Sequence, residues 1–342
     1  MKEVLFIGPV AMTGGPAIKN RILVKYLQQS TALKIWNTYD KSIKARVGAI
    51  ISILFSKQKY IIVAVSRKGR NLLYPFILFK HKISGCKYSC VVIGGQVIDS
   101  FKIKSAIKTL YQADLITVET REIKHQMEKL FGLRNVHWMP NYKELNIDIP
   151  TIDVTAFQSP VLRMIFLSSM RNSKGVKTLL EAFKKCRENG QNVELDYYGP
   201  LKEDLDKSLL NEIEETDGVQ YCGIVDNNNV LSVMSQYQMF IFPTEYSYEG
   251  FPAVLVEAQA VGLPIIASDI AYNREIIKNG KNGFVFAHGN VKELSEQITY
   301  CCNHRQELLE ISRRNIVDSK QYDAEVVINI YAEKLRKAGW PV

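Results

Sequence analysis

Twelve short strand patterns, each four to six residues long and separated by helical patterns, constrain this chain more than any other feature. The first six run from Val4 to Gly8, Leu33 to Trp36, Tyr60 to Val65, Tyr88 to Ile93, Leu115 to Val118 and Val136 to Met139. The second six run from Met164 to Leu167, Val193 to Tyr198, Val219 to Cys222, Met239 to Phe242, Pro264 to Ala267 and Gly283 to Phe286. Near-continuous apolar strands belong to parallel sheets covered by helices on both faces. Strands alternating with helices imply a doubly wound sheet. Leu145 to Pro160 lacks periodicity and holds two prolines, so it reads as a linker. The fold class expected is α/β, with two doubly wound, Rossmann-like domains at residues 1–150 and 160–322, and 342 residues suit that size. Open parallel sheets bind ligands at the carboxyl ends of their strands, where the strand order reverses. Two such domains facing each other would set the site in a cleft.

Charge is unevenly spread. The net charge of +9 divides into +15 for residues 1–150, with 24 Lys and Arg against 9 Asp and Glu, and −6 for the remainder, with 20 against 26. A basic half beside an acidic half suggests that the first faces something anionic. No apolar run approaches the roughly 18 residues of a membrane span, and Val4 to Gly8 already reads as a strand, so no signal peptide is expected. The six cysteines show no zinc spacing, which predicts reduced thiols in a cytoplasmic protein.

Two carboxylates stand out. In Glu249-Gly-Phe-Pro-Ala-Val-Leu-Val-Glu257, Pro252 is read as opening a helix whose body, Ala253 to Ala260, is small and apolar except for Glu257. A buried carboxylate is costly unless paired or hydrogen-bonded, and a helix N-terminus is a site for phosphate or developing negative charge. An acid ahead of a helix also serves simply as a dipole partner, and a nearby Lys or Arg could equally hold Glu257. Phe166-Leu-Ser-Ser-Met-Arg-Asn-Ser-Lys174-Gly175 follows a strand and leads into a helix; a Lys there is disfavoured by the dipole unless an anion binds or water solvates it. Gly14-Gly15, after the first strand, lets backbone approach a ligand and present N–H groups, or is a flexible turn. Tyr198-Gly199-Pro200 and Tyr221-Cys222-Gly223 end strands at the same edge.

These stretches resemble the retaining glycosyltransferases of family 4, group 1, with the GT-B fold, whose E-x7-E motif stands here as Glu249 to Glu257. The likeness continues through Ala258-Gln-Ala-Val-Gly-Leu-Pro264-Ile-Ile-Ala-Ser. It implies a glycosyltransferase, a hexosyltransferase in type, that binds a nucleotide sugar through its second domain and an acceptor on its first. A final helix over about residues 323–342 would pack back on the first domain. Glu249 and Lys174 are the catalytic candidates: Glu249 would hold hydroxyls of the transferred sugar, and Lys174 the leaving diphosphate. Glu257 would accept from the ribose hydroxyls. Gly250, Phe251, Ala253 and Val254 would line the donor, with Gly14 and Gly15 bordering both substrates and Gly199 and Gly223 near the nucleoside. Ser169 occupies the family's Arg position, and Arg171 stands two residues on. Gly94-Gly95 replaces the family's His-Gly. Ala113 to Thr120 and Met139-Pro-Asn141 match further landmarks, with Thr120 read as a helix cap and Asn141 as shaping a turn.

The expected donor is a UDP-sugar. No metal or other cofactor is expected. The expected acceptor is a glycan, lipid-linked at the inner membrane face, as in lipopolysaccharide or capsule assembly. Two segments, Lys41 to Lys59 and Arg67 to Lys82, set apolar stretches between basic clusters, which suits peripheral docking on an anionic membrane or sheet-covering helices with solvated ends. A catalytically silent nucleotide-sugar-binding protein of the same fold is the alternative, motivated by Ser169 and the missing His. Nucleic acid is not an expected partner, because no RNP aromatics, zinc spacing or Arg-rich helix supports it.

Overall fold

The computed structural model describes residues 4–40, 42–101, 104–145 and 153–342. They form two compact units. The first comprises Met1–Glu144, Tyr248–Phe251 and Tyr322–Val342, the second Leu145–Ser247 and Pro252–Gln321.

In the first unit the chain order is β1 (Val4–Gly8), α1 (Gly15–Leu27), β2 (Leu33–Asn37), α2 (Ile43–Leu54), β3 (Tyr60–Val65), α3 (Arg67–Ser84), β4 (Lys87–Val92), α4 (Val97–Ser100), α5 (Lys104–Tyr111), β5 (Leu115–Val118), α6 (Arg121–Phe131) and β6 (Val136–Trp138). The six strands form one parallel sheet in the order β2-β1-β3-β4-β5-β6. Strand order reverses between β1 and β3, the place where such sheets take ligands. Every residue of β1 and β3 is buried, which is why these strands read as unbroken apolar runs. Local chemistry sets the helix starts: Ser42 Oγ accepts from Ala45 N–H at 3.2 Å and Thr120 Oγ1 from Ile123 N–H at 3.1 Å.

The second unit contains β7 (Leu162–Leu167), α7 (Val176–Glu188), β8 (Val193–Tyr198), α8 (Lys207–Glu215), β9 (Val219–Tyr221), α9 (Val230–Met234), β10 (Met239–Phe242), α10 (Ala253–Ala260), β11 (Ile265–Ser268), α11 (Asn273–Ile276), β12 (Gly283–Phe286), α12 (Val291–Asn303) and α13 (Arg305–Ser319). Its parallel sheet runs β12-β11-β10-β7-β8-β9 and reverses between β7 and β10. The last helix, α14 (Ala324–Lys337), lies in the first unit. Its Ala324, Val327, Ile328, Tyr331 and Leu335 share a core with Val4 and Phe6 of β1 and Ile22 and Leu23 of α1. Asp323 caps it by accepting from Glu325 N–H at 2.8 Å.

Both sheets and their strands match the doubly wound reading, and three local readings change. The proposed linker is not bare coil: a 3-10 turn at Val154–Gln158 buries Phe157, because one aromatic finds core even in an aperiodic stretch. Residues 146–152 of that linker, and Lys41 of the first basic cluster, lie outside the described residues. Pro252 is the residue before α10 rather than its first turn, with ψ at 121°. The basic clusters are also partly internal. Arg70 is buried and its Nη1 donates to the carbonyls of Val65 and Ile93, while Lys80 Nζ donates to those of Leu54 and Ser56.

Candidate functional site

In the second unit, residues about 70 positions apart in sequence meet at the switch point of the sheet. β7 ends at Leu167, and its extension pairs onward, with Met170 N–H donating to Pro200 O at 3.0 Å. A short turn, Asn172–Lys174, then leads through Gly175 into α7. This turn is stitched to the loop after β10. Glu245 N–H donates to Ser173 O at 2.9 Å, and Thr178 Oγ1 to Glu245 Oε1 at 2.6 Å. Gly175 is required there: its φ is +69°, and a Cβ would stand 2.0 Å from the carbonyl oxygen of Pro243. Ser268 at the end of β11 donates to Thr244 O, tying in a third strand end. Lys174 is partly exposed, with its Nζ 5.3 Å from the centre of the Tyr246 ring.

Downstream, α10 begins with Pro252 as its N-cap residue and no side-chain cap. Ala253 and Val254, in the first turn, are half-exposed, whereas Leu255 to Ala260 are buried. Backbone N–H groups at a helix start point out of its end, so this terminus can take an anion. Glu257 is the fifth residue of α10 and is buried, the one ionisable group of the helix.

The remaining second-unit candidates divide. Ser169 is half-buried just beyond β7. Arg171 pairs with Asp204 at 3.4 Å, both side chains being substantially exposed. Gly199 has a packing reason to be glycine, since a Cβ would lie 1.7 Å from Ser168 O. Its N–H donates to Gly223 O at 2.8 Å and its carbonyl accepts from Tyr221 Oη at 2.9 Å, so both backbone groups are engaged within the protein. Gly223 has φ +79° with open space at the Cβ position.

Glu249, Gly250 and Phe251 fall in the first unit and Pro252 to Glu257 of the same motif in the second. Tyr248–Phe251 pack in the first unit, so the motif's two carboxylates belong to different units. The segment lies against Gly94-Gly95. A Cβ on Gly95 would be 2.1 Å from the carbonyl oxygen of Glu249, so no other residue fits at 95. At the preceding position Gly94 has φ +99°, a conformation L side chains rarely adopt. Asn141, read as a turn former, reaches further: its Nδ2 donates to Phe251 O at 3.0 Å, while Oδ1 accepts from Tyr142 N–H. The Phe251 and Tyr322 rings meet edge-on at 5.4 Å. Gly14 and Gly15 lead into α1 with nothing near their Cβ positions, Gly14 at φ +86°.

Lys19 had no role in the sequence reading, and Glu119 stood there only within the Ala113–Thr120 landmark. They form a buried ion pair at 2.8 Å, and Glu119 Oε2 also accepts from Gly94 N–H at 2.9 Å. The available signal was Lys19 itself, a charge three and four positions before Ile22 and Leu23 on the core face of α1. Among the described residues no cluster of three or more His, Cys, Asp or Glu could hold a metal ion, and no helix is long and apolar enough to cross a membrane.

Comparison with known proteins places these features in a wider set. Residues 151–317 match the family described as glycosyl transferases group 1. The capsular polysaccharide biosynthesis glycosyltransferase CapM of Staphylococcus aureus is 29% identical over 147 residues, covering 40% of this chain and 36% of CapM. The N,N'-diacetylbacillosaminyl-diphospho-undecaprenol alpha-1,3-N-acetylgalactosaminyltransferase of Campylobacter jejuni is 27% identical over 191 residues, 56% of this chain and 46% of that protein. This chain thus spans under half the length of these two relatives. The crystal structure of Anabaena HepE with UDP and glucose superposes with a TM-score of 0.76 over 98% of this chain and 100% of HepE, at 15% identity, which shows a shared fold.

Proposed function

We propose that this chain, whose residues 151–317 match the glycosyl transferases group 1 family, moves a sugar from a UDP-sugar to a lipid-linked glycan, with retention of anomeric configuration. The observation that carries the proposal is the junction of the Lys174 turn with the loop after β10, just upstream in sequence of the uncapped first turn of α10. A cation and a helix N-terminus are what a departing diphosphate needs. Glu257, buried one turn into α10, accepts hydrogen bonds from the ribose hydroxyls. Glu249 holds hydroxyls of the transferred sugar. The acceptor oxygen forms its bond to the anomeric carbon as the bond to the diphosphate oxygen breaks. The acceptor proton passes to that phosphate, so no protein base takes part. Lys174 and the α10 amides stabilise the charge that develops on the leaving group, an effect that is larger away from water. The scheme uses no metal ion or other cofactor.

The names of the relatives support the class of product and acceptor: one is assigned to capsular polysaccharide, and the other carries a diphospho-undecaprenol lipid in its name. HepE, which shares the fold, binds UDP and glucose. The surface of the first unit favours a membrane-borne acceptor. Ile43, Val47, Ile51 and Phe55, spaced by four along and just past α2, are all exposed, and so are Lys44, Arg46, Lys57 and Lys59 beside them. An exposed apolar stripe flanked by cations fits the interface of an anionic leaflet. The proposed setting is peripheral, on the cytoplasmic face of the membrane.

The test is turnover of UDP-sugars by the wild type and by Glu249→Ala and Lys174→Ala. Each variant is expected to lose roughly a hundredfold or more in kcat while melting near the wild-type temperature. Wild-type turnover in either variant would remove the assignment.

A further inference from the structure

The segment that carries Glu249 rests on a buried ion pair between Lys19, which lies outside every sequence motif, and Glu119, at the end of the Ala113–Thr120 landmark. Lys19 Nζ donates to Glu119 Oε1 at 2.8 Å, with the side chains 3% and 5% exposed. Glu119 Oε2 faces the other way. It accepts from Gly94 N–H at 2.9 Å, and a Cβ on Gly250 would come within 2.6 Å of it. One carboxylate therefore holds α1 through one oxygen, and through the other it holds the β4 loop and meets the backbone of Gly250. Two further contacts complete the seat: Gly95 beneath the carbonyls of Tyr248 and Glu249, and Asn141 donating to Phe251 O at 3.0 Å. Lys19 is itself held. Its carbonyl accepts from Tyr142 Oη at 3.1 Å, and its ammonium lies 5.3 Å from the centre of that ring.

Stability alone does not account for such a pair. Desolvating two charges offsets most of their attraction, and an apolar pair of similar volume commonly stabilises a core as well or better. What the charged pair adds is direction: two oxygens at fixed separation dictate where the Gly94 amide and the Gly250 backbone stand.

We propose that Lys19 and Glu119 are positioning residues. They fix the backbone of Tyr248–Phe251 and thereby the direction in which the Glu249 carboxylate is presented to the transferred sugar. The proposal rests on the reading of Glu249 given above. It touches no step of the chemistry directly, so its signature is a fall in kcat with little change in donor binding.

The experiment compares wild type, Glu119→Gln and the charge-free double variant Lys19→Met/Glu119→Leu. It reads melting temperature, UDP affinity, kcat and KM for the donor, and hydrogen exchange at the amides of Glu249, Gly250 and Phe251. The double variant guards against simple unfolding, because it leaves no buried charge unpaired. Expected are a melting temperature near the wild type in the double variant and UDP affinity within about twofold. Exchange at the three amides should be faster and kcat lower by roughly a hundredfold, the scale of an ångström-size misplacement. Unchanged exchange at those amides in both variants, or wild-type kcat in the folded double variant, would overturn the proposal. If the wild type transfers no sugar yet the variants loosen these amides, the positioning role stands and the transferase reading falls.

Discussion

Asp114 shows how one side chain registers both local burial and the return of the chain's last residues. It follows α5 and accepts from Trp340 Nε1 at 3.1 Å. Burial pushes its carboxyl above the usual range, and the bond from Trp340 and the nearby Lys87 and His81 only partly oppose this. The folded protein therefore holds the Asp114 proton more tightly than the unfolded chain does. Its stabilising contribution is complete below the unfolded carboxylate pKa and is lost as pH rises through the higher folded value. Asp114→Asn keeps an acceptor for Trp340 without the charge. Denaturation from pH 3 to pH 8 should show the Asn variant gaining on the wild type as pH rises through that window, then holding a constant small advantage. A gain that instead grows toward acid would refute the sign. The glycines illustrate a different limit on reading residues singly. Gly95, Gly175 and Gly199 are each glycine because a backbone oxygen occupies the place of a Cβ, and in all three that oxygen comes from a segment distant in sequence. Their identity was visible in the chain, but the reason for it was not.

Among the elements, α2 and α3 separate two properties that their similar sequences merge. Both set apolar residues among basic ones. In α3 the residues Leu73, Tyr74 and Ile77 face the core, and Arg70 and Lys80 spend their charge on backbone carbonyls. In α2 only Ala49 and Ile53 are buried, and Ile43 and Phe55 are each 78% exposed. Periodicity identifies an apolar face but not whether a neighbour covers it. If the exposed face docks on lipid, Val47→Asp with Ile51→Asp should weaken sedimentation with anionic vesicles by tenfold or so, since each substitution replaces buried apolar area with a charge that the leaflet repels. The wild type should bind less at high salt. Equal sedimentation of variant and wild type would place any membrane contact elsewhere. A helix start can be legible from local chemistry alone, as Thr120 shows by capping α6, although Pro252 stands just ahead of α10 and not in its first turn.

For the molecule as a whole, the chain's path matters as much as its elements. The first unit is discontinuous: α14 arrives after the entire second unit and supplies Ile328, Tyr331 and Leu335 to a core that also holds Val4, Phe6 and Tyr60. Ser89 and Tyr331 share a hydrogen bond at 2.9 Å, and Lys87 Nζ donates to Ala338 O at 2.6 Å. Ending the chain at Gln321 should therefore unfold the first unit and leave the second folded, because several buried side chains would be lost at about 1.5–3 kcal/mol each. Hydrogen exchange on the truncated chain checks this, and a first unit that stays protected would contradict it. The two parallel sheets and the group 1 signature were already written in the order of residues. They depend on short-range patterns, namely apolar runs, helical periods and a motif nine residues long. Folding alone settled that Glu249 packs in the first unit while Glu257 lies in the second, that Lys19 and Glu119 meet across 100 positions, and that one apolar stripe stays uncovered. Each of those outcomes depends on which distant backbone or side chain comes to fill a given space, and no local pattern encodes that.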